Sequence, residues 1–138
     1  MLDPEKDYPL AQKHPDWVTS PSGIPLRDIT LDNVLSGKIA ANDLRITPDT
    51  LRKQADIAAA AGQPALAANL RRAAELTGVP NGRILQVYNA MRPHRSTRQE
   101  LETLCDELER DYGAEETAAF IRAVIPLYDA RQLFRRKE

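Results

Sequence analysis

Aromatic residues are scarce in this 138-residue chain, which has one Trp, two Phe and four Tyr. Its core must therefore rest on Leu, Ile and Ala. The single Cys excludes an internal disulfide and is compatible with a reducing compartment. Six glycines are scattered as turns and helix stops, and neither glycine-rich phosphate-cradling fingerprint is present. Neither sign of charge dominates: 19 Lys and Arg face 20 Asp and Glu, for a net charge of −1. That balance excludes nucleic-acid binding driven by bulk positive charge. No apolar run is long enough to span a bilayer. The acidic, Pro-rich N-terminus is not expected to act as a secretory signal.

Proline is in surplus. Five of the ten fall within the first 25 residues: Pro4, Pro9, Pro15, Pro21 and Pro25. Each fixes φ, removes a backbone donor and pushes the residue before it towards an extended conformation. The same stretch carries apolar residues that a solvated tail would lack, namely Tyr8, Leu10, Trp17, Val18, Ile24, Leu26 and Ile29. This pattern predicts an extended arm over residues 1–29 that lies on a partner, with Trp17 as its principal anchor.

Helix signals follow, with no convincing strand, so residues 30–138 read as an all-α domain of about five to six helices. Thr30 can cap a short helix through Leu35, stopped by Gly37. Thr47-Pro48-Asp49 is an N-cap, a first-turn Pro and a dipole-matched acid, opening a helix that buries Leu51, Ala55 and Ala58 and stops at Gly62. Pro64 starts the next, with Leu66, Leu70 and Ala73 at helical spacing, ending at Gly78. A fourth runs from Asn81 to Met91, with Ile84, Tyr88 and Met91 aligned. Ser96-x-x-Gln99 and Thr97-x-x-Glu100 both read as capping boxes before the stripe Leu101, Leu104, Cys105, Leu108 and Tyr112, closed by Gly113. Ala118 to Tyr128 is apolar nearly all round, with Arg122 its lone charge, so one side is expected to need a partner. Pro126 either kinks this helix or starts a separate one.

Candidate chemistry is thin. His14 and His94 sit beside prolines without a second ligand at metal spacing. Cys105 lies on an apolar stripe and reads as a buried structural thiol. Asp28, Asp32, Asn33 and Asp43 lack calcium-loop spacing, and capping or exposure accounts for them. Arg92, Arg95 and Arg98 with His94, Arg71-Arg72, and Arg135-Arg136-Lys137 form three basic clusters. Ala58-x-x-x-Gly62 before a new helix faintly imitates a helix-turn-helix, but a C-cap glycine explains it. Ion pairing across a protein interface suits these arginines better. The residues nominated for a partner interface are Tyr8, Leu10, Trp17, Val18, Ile24, Leu26, Arg92, Arg95, Phe120, Val124 and Leu127. No catalytic, cofactor-binding or metal-binding residue is nominated.

Four pieces occur in order: the turn Ser20-Pro-Ser-Gly23, the helix start Asp28-Ile-Thr-Leu31, Asn33-Val-Leu-Ser-Gly37, and Asp43-Leu-Arg-Ile46. Leu70-Arg-Arg-Ala-Ala-Glu-Leu76, Arg83-Ile-Leu-Gln-Val-Tyr-Asn-Ala-Met-Arg-Pro93 and Asp106-Glu-Leu-Glu109 follow. With these pieces in order the chain, over nearly its whole length, resembles the small (gamma) subunit of adenosylcobalamin-dependent diol and glycerol dehydratases. Asn81-Gly82 departs from the two acids expected there, and Ile125-Pro126 interrupts a helix expected to be continuous.

The resemblance implies a mostly helical lyase subunit that supports a catalytic large subunit, in a bacterial cytoplasmic dimer of heterotrimers with large and medium subunits. Adenosylcobalamin would be bound by those partners, with no nucleic acid and no membrane involved. The reaction implied is radical conversion of a vicinal diol to an aldehyde and water. The absence of a long leader leans towards a glycerol-type enzyme, longer leaders accompanying microcompartment-associated diol enzymes. Two other readings stand beside this one: a free-standing helical interaction or regulatory protein, and a small helical DNA-binding protein.

Overall fold

A computed structural model describes residues 1–136. Eight α-helices occur among them and no strand, only one isolated bridge between Thr19 and Pro25. The chain divides into two compact units, Met1–Thr77 and Gly78–Glu138. The division falls well after residue 29, where the sequence suggested one.

The reason lies in residues 1–29, which are not an extended arm. They coil into α1 (Pro4–Asp7) and α2 (Leu10–Lys13), then short 3₁₀ turns at Pro15–Trp17 and Leu26–Asp28. Proline explains the shortness but not extension, because Pro4 and Pro15 occupy first-turn positions where no donor is needed. Asp3 caps α1 by accepting from the Glu5 amide at 2.9 Å. Between the two 3₁₀ turns the backbone closes on itself: Ser20 N–H donates to Ile24 O at 2.8 Å, and Leu26 N–H to Val18 O at 3.1 Å. Local turns thus satisfy groups that an extended arm would have offered to a partner. Leu10 is only 5% exposed and belongs to this unit's own packing, which corrects its nomination as an interface residue.

The body of the first unit is a hairpin of α4 (Pro48–Ala60) and α5 (Pro64–Leu76). Thr47 caps α4, and Gly62 turns the chain at φ 73°, allowing Gln63 N–H to reach Ala58 O at 2.9 Å. Ala55, Ala58 and Ala67, with Leu70 against them, form the contact between the two helices. Small side chains let the backbones approach closely. On α5 the buried positions are Ala67 and Ala74, one residue on from the expected Leu66 and Ala73. Leu66 is exposed. Thr30 caps α3 (Leu31–Leu35) as expected.

The second unit holds α6 (Asn81–Ala90), α7 (Arg98–Tyr112) and α8 (Glu115–Ala130). Thr97 and Glu100 make the capping box of α7 reciprocally: Thr97 N–H donates to Glu100 Oε2 at 2.8 Å, and Glu100 N–H to Thr97 Oγ1 at 3.2 Å. Ser96, the competing candidate, is buried and donates its hydroxyl to Ala90 O at 2.8 Å instead. Leu101, Leu104, Cys105 and Leu108 form the buried stripe, and Gly113 closes α7 at φ 61°. α8 packs on α7 through Thr117, Ala118, Ile121 and Ile125, and runs unbroken through Pro126. On α6, Val87 is the buried residue and Tyr88 faces outward, a second correction of register. Asn81 opens this helix despite the missing acids.

Candidate protein–protein interface

Polar side chains within each unit are largely committed to one another. Asp43 is buried and accepts from Ser20 Oγ at 3.0 Å, from Ser22 Oγ, and from the Ala40 amide at 3.0 Å. The Ser22 hydroxyl, then the Ala40 amide, hold its carboxyl below the usual carboxylate range. This carboxylate ties the Ser20–Gly23 turn to the 3₁₀ turn Ala41–Leu44. The sequence reading, which took Asp43 as capping or exposed, missed that link. Ser20, Ser22 and Asp43 all lie in the motif pieces quoted above, and their side-chain chemistry was the available signal.

His14 is likewise engaged. Its Nε2 lies 2.6 Å from Asp7 Oδ1, and its ring stacks on Trp17 at 3.6 Å and 5°. Asp7 also accepts from the Asp3 amide at 2.7 Å, and that bond, followed by His14, lowers its pKa. The seven-residue spacing of Asp7 and His14 crosses the break between α1 and α2, so helical periodicity gave no sign of it. Trp17, 38% exposed, has Lys53 Nζ 6.0 Å from its ring centroid. It is therefore partly packed on its own unit, with its remaining edge open.

Cys105 is the chain's one thiol, and it is buried. Burial pushes the Cys105 thiol up, opposed by the weaker pull of Arg122. Among the described residues no group of three His, Cys, Asp or Glu side chains could hold a metal ion. No buried side-chain polar atom there lacks a partner.

What is left over is apolar surface. In the first unit Leu31 is 71% exposed and Leu35 76%, on one face of α3 at i, i+4 spacing. Leu26, Leu44 and Ile46 are exposed and, with Val18 and Ile29, line an open groove. Ile24 is half-buried nearby in sequence. A second groove, between α1 and the α4–α5 hairpin, is lined by Pro4, Tyr8, Ile57, Leu66 and Leu70. Tyr8 stands well out from it. Sequence reasoning had not nominated Leu31, Leu35, Leu44 or Ile46. The i, i+4 spacing of Leu31 and Leu35 reads equally as core, and only the fold shows that the core lies elsewhere.

In the second unit α8 is two-faced as the sequence suggested. Behind its buried stripe, Phe120 and Leu127 are nearly half exposed and Val124 is half-buried. Arg122, the lone charge between Ala118 and Tyr128, is paired across to α7: its Nη2 bonds Asp106 Oδ1 at 2.7 Å and Glu109 Oε2 at 2.9 Å, clamping α8 to α7. Arg83 makes the corresponding clamp between α6 and α7, its Nε donating to Glu107 Oε1 at 2.7 Å. Arg92 and Arg95 lie exposed on the loop after α6. Of the terminal basic cluster, Arg135 and Arg136 are exposed, and Lys137 lies outside the described residues.

Large exposed leucines on well-formed helices are the mark of a surface meant to be covered. Comparison with known proteins agrees. The propanediol dehydratase small subunits of Citrobacter freundii and Salmonella typhimurium (strain LT2) are each 56% identical over 126 residues, spanning 91% of this chain and 73% of theirs. The sequence pattern of the family described as dehydratase small subunit matches residues 4–135. The order of motifs from the Ser20–Gly23 turn to the Asp106–Glu109 helix thus has its explanation: this chain belongs to the dehydratase small-subunit family.

Proposed function

We propose that this chain is the non-catalytic small subunit of an adenosylcobalamin-dependent diol dehydratase, a cytoplasmic lyase that converts a vicinal diol to an aldehyde and water. Its task is to brace the catalytic large subunit, in an assembly of two large–medium–small units. The observation that carries this reading is the 56% identity to two propanediol dehydratase small subunits over 91% of the chain. Their names favour propane-1,2-diol over glycerol as the substrate.

The chain's own residues do not fit a corrin ring. Of its two histidines, His14 is held by Asp7 and covered by Trp17, while His94 lies exposed with Nδ1 3.4 Å from Phe134 O. Neither stands free over a cavity as an axial base would. In this proposal the cofactor is held by the partner subunits, and this chain contributes apolar contact. Leu26, Leu31, Leu35, Leu44 and Ile46 supply it from the first unit, and Phe120, Val124 and Leu127 from the second.

Reconstitution tests the proposal. The full chain is co-expressed with the remaining dehydratase subunits, and diol turnover is measured with the cofactor supplied. The chain should co-purify with its partners, show no turnover alone, and raise the yield and activity of the complex. Turnover by the isolated chain, or an active complex of unchanged yield in its absence, would refute the role. Assaying propane-1,2-diol and glycerol side by side decides the substrate.

A further inference from the structure

Two segments of the second unit run side by side where α6 ends and α8 ends. Tyr128 OH donates to Met91 O, His94 N–H to Leu133 O at 2.7 Å, and Arg135 N–H to Ser96 O at 2.8 Å. The Arg135 guanidinium adds a bond to Arg95 O at 3.2 Å and a charged one to Glu100 Oε1 at 2.6 Å. Phe134 packs edge-on against Tyr128 at 5.7 Å. The chain after α8 is thereby strapped onto the loop 91–96. His94 is held there in the left-handed region, at φ 62°.

This strap concentrates charge. Arg92, Arg95, Arg131 and Arg136 are all exposed, each within three residues of one of these bonds. None of the four has an acidic partner among the described residues, although acids lie close by in sequence. Those acids are already taken: Glu100 by Arg135, and Asp129 and Glu102 by Arg98. In a chain of net charge −1, four guanidinium groups on one pinned ridge, with no acidic partner among the described residues, are a local surplus. Arginine is the residue suited to bidentate recognition of carboxylates at an interface.

We infer that this ridge docks on an acidic, carboxylate-bearing face of a partner dehydratase subunit, steering the small subunit and fixing its orientation. The inference rests on the subunit role proposed above. A protein partner fits better than a nucleic acid, because the near-neutral whole chain supplies no long-range field for a polyanion. The ridge itself offers guanidinium forks, carried on pinned backbone, for individual carboxylates. The strap explains why the forks can be specific: backbone bonds hold the segments that carry them before any partner arrives.

Charge reversal tests it. The full chain carrying Arg92→Glu, Arg95→Glu and Arg131→Glu is co-expressed with the remaining subunits, and its affinity for them is compared with wild type at low and physiological salt. The three side chains are exposed and have no acidic partner among the described residues, so circular dichroism should show unchanged helicity. Binding should weaken about tenfold or more, mostly through slower association at low salt, and wild-type affinity should itself fall with salt. The matching triple Arg→Lys variant should recover most of the loss. Equal affinity of the Glu variant and wild type at both salts would overturn the ridge while leaving the subunit role intact. Failure of wild type to bind at all would overturn both. Retention of wild type on a short DNA duplex, lost in the Glu variant while assembly is unaffected, would assign the ridge to nucleic acid and overturn the inference.

Discussion

Asp43 accepts three hydrogen bonds from residues that the chain order separates by up to 23 positions, and nothing in helical or strand periodicity could have brought them together. Its carboxyl is stabilised in the charged form by the Ser22 hydroxyl first and the Ala40 amide second, so its folded pKa lies below the ordinary value of 3.8. The sign follows from linkage. A depressed carboxylate contributes its full stability above the unfolded pKa and loses it as pH falls from there towards the folded pKa. Asp7, held by the Asp3 amide and His14, adds to the same slope. The first unit should therefore lose stability below about pH 3.8, read as a falling thermal midpoint by circular dichroism. Asp43→Asn should lower the midpoint at neutral pH by several degrees and flatten the acid limb. An unchanged acid limb would show that the Ser20–Gly23 turn is held by other means. The residue scale is where the sequence was least legible. His14 read as a loop histidine and Asp43 as a capping or exposed acid, because their partners lie across turns that only the folded chain defines.

Elements with chemical punctuation were legible to within a residue or two. α4 begins at Thr47-Pro48 and α7 at Thr97, and both stop at glycines in the left-handed region, because caps and stops are local chemistry. Faces were less secure. Where adjacent positions are both apolar, as at Leu66-Ala67 and Val87-Tyr88, periodicity cannot say which one points inward. The structure buries the smaller of each pair. Two substitutions probe this scale. Thr97→Ala removes one half of the α7 capping box and should cost about 1 kcal/mol, measured by urea unfolding of the full chain. Pro126→Ala has the opposite sign. Proline withholds a donor from the Arg122 carbonyl inside α8, at about 3 kcal/mol, while alanine returns about 0.4–1 kcal/mol of unfolded-state freedom. A net gain of about 2 kcal/mol should follow, seen as a higher urea midpoint. No gain would mean that α8 already accommodates the missing bond, for example through water at the exposed Pro126.

At the scale of the whole molecule, the sequence revealed unsheltered apolar surface but not all of its places. It assigned the surplus to a ribbon at residues 1–29 and to the last helix; the fold tucks Leu10 inside, leaves Tyr8, Leu26, Phe120 and Leu127 exposed, and adds Leu31 and Leu35 on α3. The cause is that proline spacing reports which regular structures are forbidden, not how irregular turns will pack. Because Leu31 and Leu35 already face water, replacing both with Ser removes little that holds the free chain together. Stability should change by no more than about 0.5 kcal/mol at each site. Docking is another matter. If a partner covers these side chains, each lost burial costs roughly 1.5–3 kcal/mol, enough to weaken assembly by well over tenfold. Free wild-type chain should also bind a hydrophobic dye and self-associate, and the double variant should do both less. The informative pair of measurements is thus the unfolding midpoint and the affinity for the other dehydratase subunits. A large loss of affinity with an unmoved midpoint places α3 in the interface. A lowered midpoint with unchanged affinity would instead make these leucines part of the chain's own fold, and the docking surface would have to be sought around Tyr8 and the α8 face.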